Sequence, residues 1–359
     1  MRKLLLNSLK KHLNIKSLPK EKMLRKRFKK FLSEGYNYVF DRLTGAFARW
    51  GNDAEHDPEY SPFGPEILDI EVSTICNKGC SHCYKSNTSV GKNMSLETFK
   101  QLFMKFPKTL TQIAFGIGDL SANPDLFDIF SYCRKNDVVP NVTVNGSGLT
   151  EEATSAIAEL CGAVAVSYYD DASCFNAVKK FTDKGMRQVN IHCLLSEETY
   201  EKCMELITKS KVDERLVDLN AIVFLLLKPK GQRNYYHCLK DKEKYKRLID
   251  YAFELKAKIG FDSCSANSFI EAIKDKENSK ELTMCADPCE SSLFSYYINV
   301  DGVGFPCSFS EGAEGCKGID VLNSIDFMRD VWNNEETRGF RSKLLGNCRN
   351  CPVYDLTMT

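Results

Sequence analysis

The chain has 359 residues, with 49 Lys+Arg against 48 Asp+Glu, a net charge of +1, 43% hydrophobic and 27% charged residues. That is ordinary globular composition, which excludes disorder and collagen-like repeats. No window of about 18 apolar residues is present to span a membrane.

Residues 1–50 hold 14 Lys/Arg against three acids, a basic arm on an otherwise acidic chain. Leu6, Leu9, Leu13 and then Leu24, Phe28, Phe31 recur at helical spacing, with Pro19 between them, which predicts two short amphipathic helices. The alternating stretches 36–40 and 46–50 flank a Gly-containing turn and predict a β-hairpin. Polar residues 51–65 read as a linker. From Glu66 onward, strand-like runs at 67–73, 112–115, 138–144, 163–167, 188–192 and 219–226 alternate with helical patterns at 95–106, 125–136, 150–160, 172–184, 197–210 and 241–259. Six such units argue an α/β fold, a mostly parallel sheet with helical crossovers that curls into an open or closed barrel. Chemistry in such folds gathers at the C-terminal ends of the strands. The rhythm stops after Lys274. A strand to Val300, an Asp301-Gly302 turn and a short strand ending at Cys307 predict a second hairpin, followed by a helical pattern over 322–345. The expected organisation is a basic extension at 1–65, a core barrel at 66–274 and a small α+β subdomain at 275–359.

Sixteen cysteines are the anomaly. The basic start has only Leu4–Leu6 as an apolar run, too short for a secretory signal, so the expected location is cytoplasmic, where thiols stay reduced and clustered cysteines point to metal or catalysis. Cys133, Cys161, Cys193 and Cys203 sit in apolar or helical contexts and read as core packing. Two clusters do not. Cys76, Cys80 and Cys83 follow the first barrel strand directly, in a Cys-x3-Cys-x2-Cys loop containing Gly79. Three thiolates so close can wrap one metal centre, and cysteine holds both iron–sulfur clusters and zinc. A four-iron cluster held by three of them keeps one iron open. The second set is Cys289, Cys307, Cys348 and Cys351, which the hairpin and the following helix return to one place. Residue chemistry alone leaves zinc and iron–sulfur both open there.

The first loop resembles the radical S-adenosylmethionine (radical SAM) enzymes, whose hallmark is Cys-x3-Cys-x-(aromatic)-Cys after strand one of a partial (β/α)6 barrel; Cys76, Cys80 and Cys83 match, with His82 in the aromatic slot. The resemblance spans about residues 66–262. It implies a [4Fe–4S] cluster, S-adenosylmethionine on the open iron, one-electron cleavage to a 5′-deoxyadenosyl radical, and hydrogen abstraction from a substrate. Gly116-Ile117-Gly118-Asp119 ends strand two where the family has Gly-Gly-Glu for the methionine amino group; Asp119 is one methylene shorter. Asn145, ending strand three, and Ser167, ending strand four, fall where members contact S-adenosylmethionine. Lys179 falls near a carboxylate-supporting position, and His192 ends strand five on the same rim. The tail, Cys-x12-Gly-x4-Cys then Cys-x2-Cys, is similar to the twitch form of the SPASM extension. That likeness implies one auxiliary [4Fe–4S] cluster on Cys289, Cys307, Cys348 and Cys351, with Cys316 spare and Cys285 an alternative to Cys289.

The resulting expectation is an oxidoreductase or maturase that oxidises, cross-links or otherwise modifies a peptide or small anionic substrate, with the auxiliary cluster as electron relay and a flavodoxin- or ferredoxin-like reductant as partner. The alternative is a zinc-binding scaffold or nucleic-acid adaptor acting through the basic arm. No general acid or base stands out; Tyr168, Tyr169 and Cys264 at strand ends are noted without a role.

Overall fold

The computed structural model describes residues 27–53 and 57–359; the first predicted helix and most of the basic arm lie outside the described residues. Two compact units divide the chain, Met1–Pro58 and Glu59–Thr359.

In the first unit, strands β1 (Phe28–Ser33), β2 (Tyr36–Asp41) and β3 (Phe47–Trp50) form an antiparallel sheet in that order. The predicted hairpin is present, with Phe40 opposite Phe47. The helix expected to run through Phe28 and Phe31 is not: both lie on β1, paired with Asp41 and Tyr38 of β2. A bidentate pair from Arg27 to Asp41, 2.9 and 2.6 Å, fixes that register. Three apolar residues at helical spacing could not distinguish a helix from a half-exposed strand.

The second unit is built on β4 (Ile67–Glu71), β5 (Gln112–Gly116), β6 (Val139–Val144), β7 (Val164–Ser167), β8 (Val189–Leu195), β9 (Ala221–Leu226) and β10 (Ile259–Phe261), all parallel to their neighbours. Helices α1 (Leu96–Phe103), α2 (Leu126–Lys135), α3 (Glu151–Leu160), α4 (Asp171–Asp183), α5 (Tyr200–Val212) and α6 (Lys242–Glu254) connect them. Side-chain caps start four of these helices, from Ser95, Thr150, Asp170 and Asp241 to backbone N–H groups of the first turn, each satisfying donors that a helix leaves unpaired. The sheet continues past β4 with β11 (Ser295–Ile298), parallel to it, and then antiparallel β12 (Val303–Phe305) and β13 (Ile319–Asp320). This ten-stranded order, β10-β9-β8-β7-β6-β5-β4-β11-β12-β13, is the expected partial barrel with the second hairpin joined to its edge.

Two departures from the sequence reading concern the later elements. The helix expected to reach Ile259 stops at Glu254, Lys256 turns left-handed at φ 50°, and a seventh parallel strand begins. The single helix expected over 322–345 is broken into a wide turn at Met328–Trp332 and α9 (Glu335–Gly346), preceded in the chain by α7 (Ala266–Ile273) and α8 (Ser279–Thr283).

Alternation decides what each face of the sheet does. Leu68, Ile70, Ile113, Phe115, Val142, Val144, Val164, Val166, Ile191, Ile222 and Phe224 point to the helices and are buried. The opposite face carries Asp69, Asn141, Thr143, Ser167, Asn190 and His192, all half-buried. The inner face is therefore polar. At its N-terminal end, Asn141 donates to Gln112 at 3.0 Å, and Asn220 donates to Gln188 and Asn190 at 3.2 and 2.8 Å. These amide pairs leave the C-terminal rim for the cysteine loops. Among the described residues, no helix is long and apolar enough to cross a membrane.

Candidate functional site

The first cysteine loop leaves the C-terminal end of β4. Cys76 N–H donates to Thr88 O at 2.7 Å, Cys83 N–H to Cys80 O at 3.3 Å and Ser86 N–H to Cys83 O at 3.0 Å, so the loop is folded on itself. All three thiols are partly exposed. Burial pushes the Cys76 thiol up, and Cys80, Cys83 and Asp119 add to that push, so these four groups share one electrostatic neighbourhood. Gly118 is the reason the strand-two turn can lie against them: a Cβ there would stand 2.5 Å from Cys76 Cβ and 3.0 Å from its Sγ. Gly116 is less constrained, with its nearest contact at 3.7 Å. Asn145 donates to Gly118 O at 3.0 Å and accepts from Ser147 N–H at 2.9 Å, which ties the ends of strands two and three together. Asp119 accepts from Ser121 N–H and Oγ at 3.1 and 2.9 Å.

Ser167 ends β7 beside His192 in register. His192 is pushed down to about 4 by burial, with Asp262 opposing the shift. His82 is likewise lowered by burial and by Lys202, and its buried Nδ1 has no hydrogen-bond partner. Its ring lies between Tyr169 and Tyr236, at centroid distances of 6.0 and 5.6 Å. Tyr169 is raised by burial and by a hydrogen bond to Cys80, and Lys78 Nζ sits 4.4 Å from its ring centroid. Tyr236, Lys78 and Lys202 escaped the sequence reading, which noted Tyr169 without a role. The usable signal for Tyr169 was its place two residues beyond the end of a barrel strand. Lys179 pairs with Asp183 on the exposed side of α4 at 2.7 Å and is not brought to the rim.

Three of the four tail cysteines share a second neighbourhood. Burial raises Cys289, with Cys351 adding to it, and pushes Cys307 up to about 11, with Cys289 and Cys351 contributing. Cys348 is exposed. It opens a left-handed pair, φ 49° at Cys348 and 59° at Arg349, and Arg349 donates to Cys289 O at 3.0 Å and to Pro288 O. The turn that carries Cys348 and Cys351 is thus pinned to Cys289. Cys264 is also drawn in: burial raises its thiol, and Lys228, Cys289 and Cys307 act on it. Cys316 lies near Cys351. Cys285 is exposed, bonded to Glu281 O at 3.6 Å.

Among the described residues, no three His, Cys, Asp or Glu side chains close round a single metal ion. A four-iron cluster does not ask that of them, because its thiolates bind separate irons. The donor set at the first loop fits such a cluster: three thiols on one short loop, and a glycine cradle at Gly118 that brings the strand-two turn to the same place.

A parallel half-barrel carries three thiols at the mouth of its first strand. Residues 70–170 match the family model described as the Radical SAM superfamily. Solved structures similar to the chain include Streptococcus suis SuiB, at 12% identity and TM-score 0.67 over 88% of this chain and 90% of that one. The same protein bound to precursor peptide SuiA is similar at 12% identity and TM-score 0.68, over 88% and 90%. Native anSMEcpe with bound AdoMet and Cp18Cys peptide is similar at 16% identity and TM-score 0.58, over 80% and 86%. These likenesses carry the fold. A search of curated proteins gives no match. Residues 70–170 are thus similar to the Radical SAM superfamily, a likeness that implies a [4Fe–4S] cluster and S-adenosylmethionine.

Proposed function

We propose that this chain is a radical SAM enzyme that modifies a peptide, by oxidation or cross-linking of a side chain, with a second [4Fe–4S] centre as electron relay. The observation that carries the reading is the Cys76, Cys80, Cys83 loop at the mouth of the barrel, together with the second neighbourhood of Cys289, Cys307 and Cys351. Cys76, Cys80 and Cys83 hold the first cluster; Gly116, Gly118, Asp119, Asn145, Ser167 and His82 form the surrounding rim for S-adenosylmethionine. Cys289, Cys307, Cys348 and Cys351, in the tail from residue 275, hold the second. When bound, the cofactors supply one-electron cleavage of S-adenosylmethionine and removal of a substrate hydrogen atom. The chain's own residues enclose that event. Burial holds His82 and His192 below the ordinary imidazole value, and the amide pairs tie the strands together at the far end of the sheet. Support for a peptide comes from SuiB and anSMEcpe, both recorded with bound peptides.

The test is anaerobic reconstitution of the full chain. We expect about eight irons per chain, 5′-deoxyadenosine on reduction, and a mass change in a co-expressed candidate peptide. A colourless protein holding zinc, with no S-adenosylmethionine cleavage, would overturn the reading.

A further inference from the structure

Both cysteine loops are held by one short segment. After β9 the chain runs Lys228-Pro229-Lys230-Gly231-Gln232-Arg233. On one side it grips the residues around and after Cys83. Gly231, at φ 108°, lies so close that a Cβ would stand 2.4 Å from Cys83 O. Gln232 N–H donates to Ser86 Oγ at 2.8 Å, and Arg233 Nη2 donates to Asn87 O at 2.8 Å. On its other side, Lys230 Nζ donates to Ser308 O, Phe309 O and Glu311 O at 2.9, 3.3 and 2.7 Å, the residues that follow Cys307.

Two further ties cross the same gap. Lys85, two residues past Cys83, bonds Tyr297 Oη at 2.7 Å and pairs with Glu71 at 3.1 Å and with Glu311. Tyr84 and Phe309 meet ring to ring, with centroids 4.4 Å apart. Tyr84 directly follows one ligand cysteine, and Phe309 stands two residues after another. This ring contact is therefore a short, continuous path between the two sets of thiols.

Resting on the two-centre reading above, we propose that residues 230–233 are a strap that fixes the separation of the two cysteine loops, and that the Tyr84–Phe309 contact it holds closed is the route by which an electron passes between the centres. With both [4Fe–4S] centres bound, the step would take one electron from one centre and give it to the other, with no bond formed or broken and no proton required. Residues 230–233 bond groups that flank the cysteines, and they act as positioning residues.

The test uses the full chain, reconstituted anaerobically. The wild type first settles the underlying reading: about four irons and a single paramagnetic signal on reduction would remove the second centre, whatever the strap does. With two centres present and both reduced by dithionite, their signals broaden each other. Lys230→Met is expected to lose that broadening with iron content retained, Lys230→Arg to keep it, and Gly231→Ala, which crowds Cys83 itself, to lose it together with iron of the first centre. Lys230→Met leaves the glycine untouched and serves if the alanine costs the fold. Phe309→Leu is expected to keep the broadening, since the strap remains, but to delay the second centre's signal after flash photoreduction in freeze-quenched samples. Broadening unchanged in both strap variants would overturn the strap. An undelayed signal in Phe309→Leu would overturn the route.

Discussion

Gly118→Ala is the sharpest probe of the first centre, because its neighbour supplies the control. A Cβ at 118 would lie 2.5 Å from Cys76 Cβ, 3.0 Å from Cys76 Sγ and 3.3 Å from Ile75 O. The first distance is about 1 Å inside the ~3.5–4.0 Å optimum for two carbons. The crowded atom is the root of the Cys76 side chain, a proposed cluster ligand, next to its own backbone, so relief requires Cys76 or the whole strand-two turn to move. Overpacking of this kind costs about 1–3 kcal/mol, roughly 5- to 150-fold in the population of the competent loop. At 116 the added Cβ meets nothing closer than 3.7 Å, ordinary contact. We expect Gly118→Ala to lose the first cluster's signal and S-adenosylmethionine cleavage in anaerobically reconstituted protein, and Gly116→Ala to retain both. Equal loss in the two variants, or full cleavage in Gly118→Ala, would refute the steric argument.

Alanine at Cys76, Cys80 or Cys83 is expected to remove about four irons and all 5′-deoxyadenosine formation while leaving the second centre's signal; iron analysis with electron paramagnetic resonance checks this. Lys85→Met leaves Glu71, whose side chain is 5% exposed, buried without its cation, and removing one partner of such a pair costs on the order of 3 kcal/mol; an unchanged denaturation midpoint would contradict it. Burial alone pushes Asp69 from 3.8 up to about 6. The folded state then binds the proton more tightly than the unfolded chain, so this contribution is complete below about pH 4 and lost as pH rises through 6, a fall of about 3 kcal/mol from this group. Asp69→Asn should flatten that part of the stability–pH curve, and a curve that keeps its slope would show the carboxyl to be solvated.

The six strand–helix units were legible because each strand sets apolar residues toward the helices at a period of two, while its crossover helix repeats at a different period. The Cys76, Cys80, Cys83 loop was legible because its spacing is local. What escaped is non-local or too short. β10 has only three residues, Ile259–Phe261, and its Gly260 carries no side chain to show alternation. Phe28 and Phe31 fit a helix by spacing until strand pairing claims them. Cys264 has no spaced partner in sequence, and its nearness to Cys289 and Cys307 arises only when β10 and the tail fold together. The grip of Lys230 on three carbonyls some eighty residues away leaves no pattern in the chain at all.

The pairing of β11 with β4, from Ser295 opposite Ile67 to Ile298 opposite Ile70, bears on any attempt to isolate a minimal barrel. A chain cut back to residue 274 would strip β4 of its outer neighbour and bare a row of peptide groups. Such an edge recruits other strands, and the shortened protein should aggregate even with every barrel residue in place. Trimming from the tail end would therefore measure stickiness before it measured catalysis.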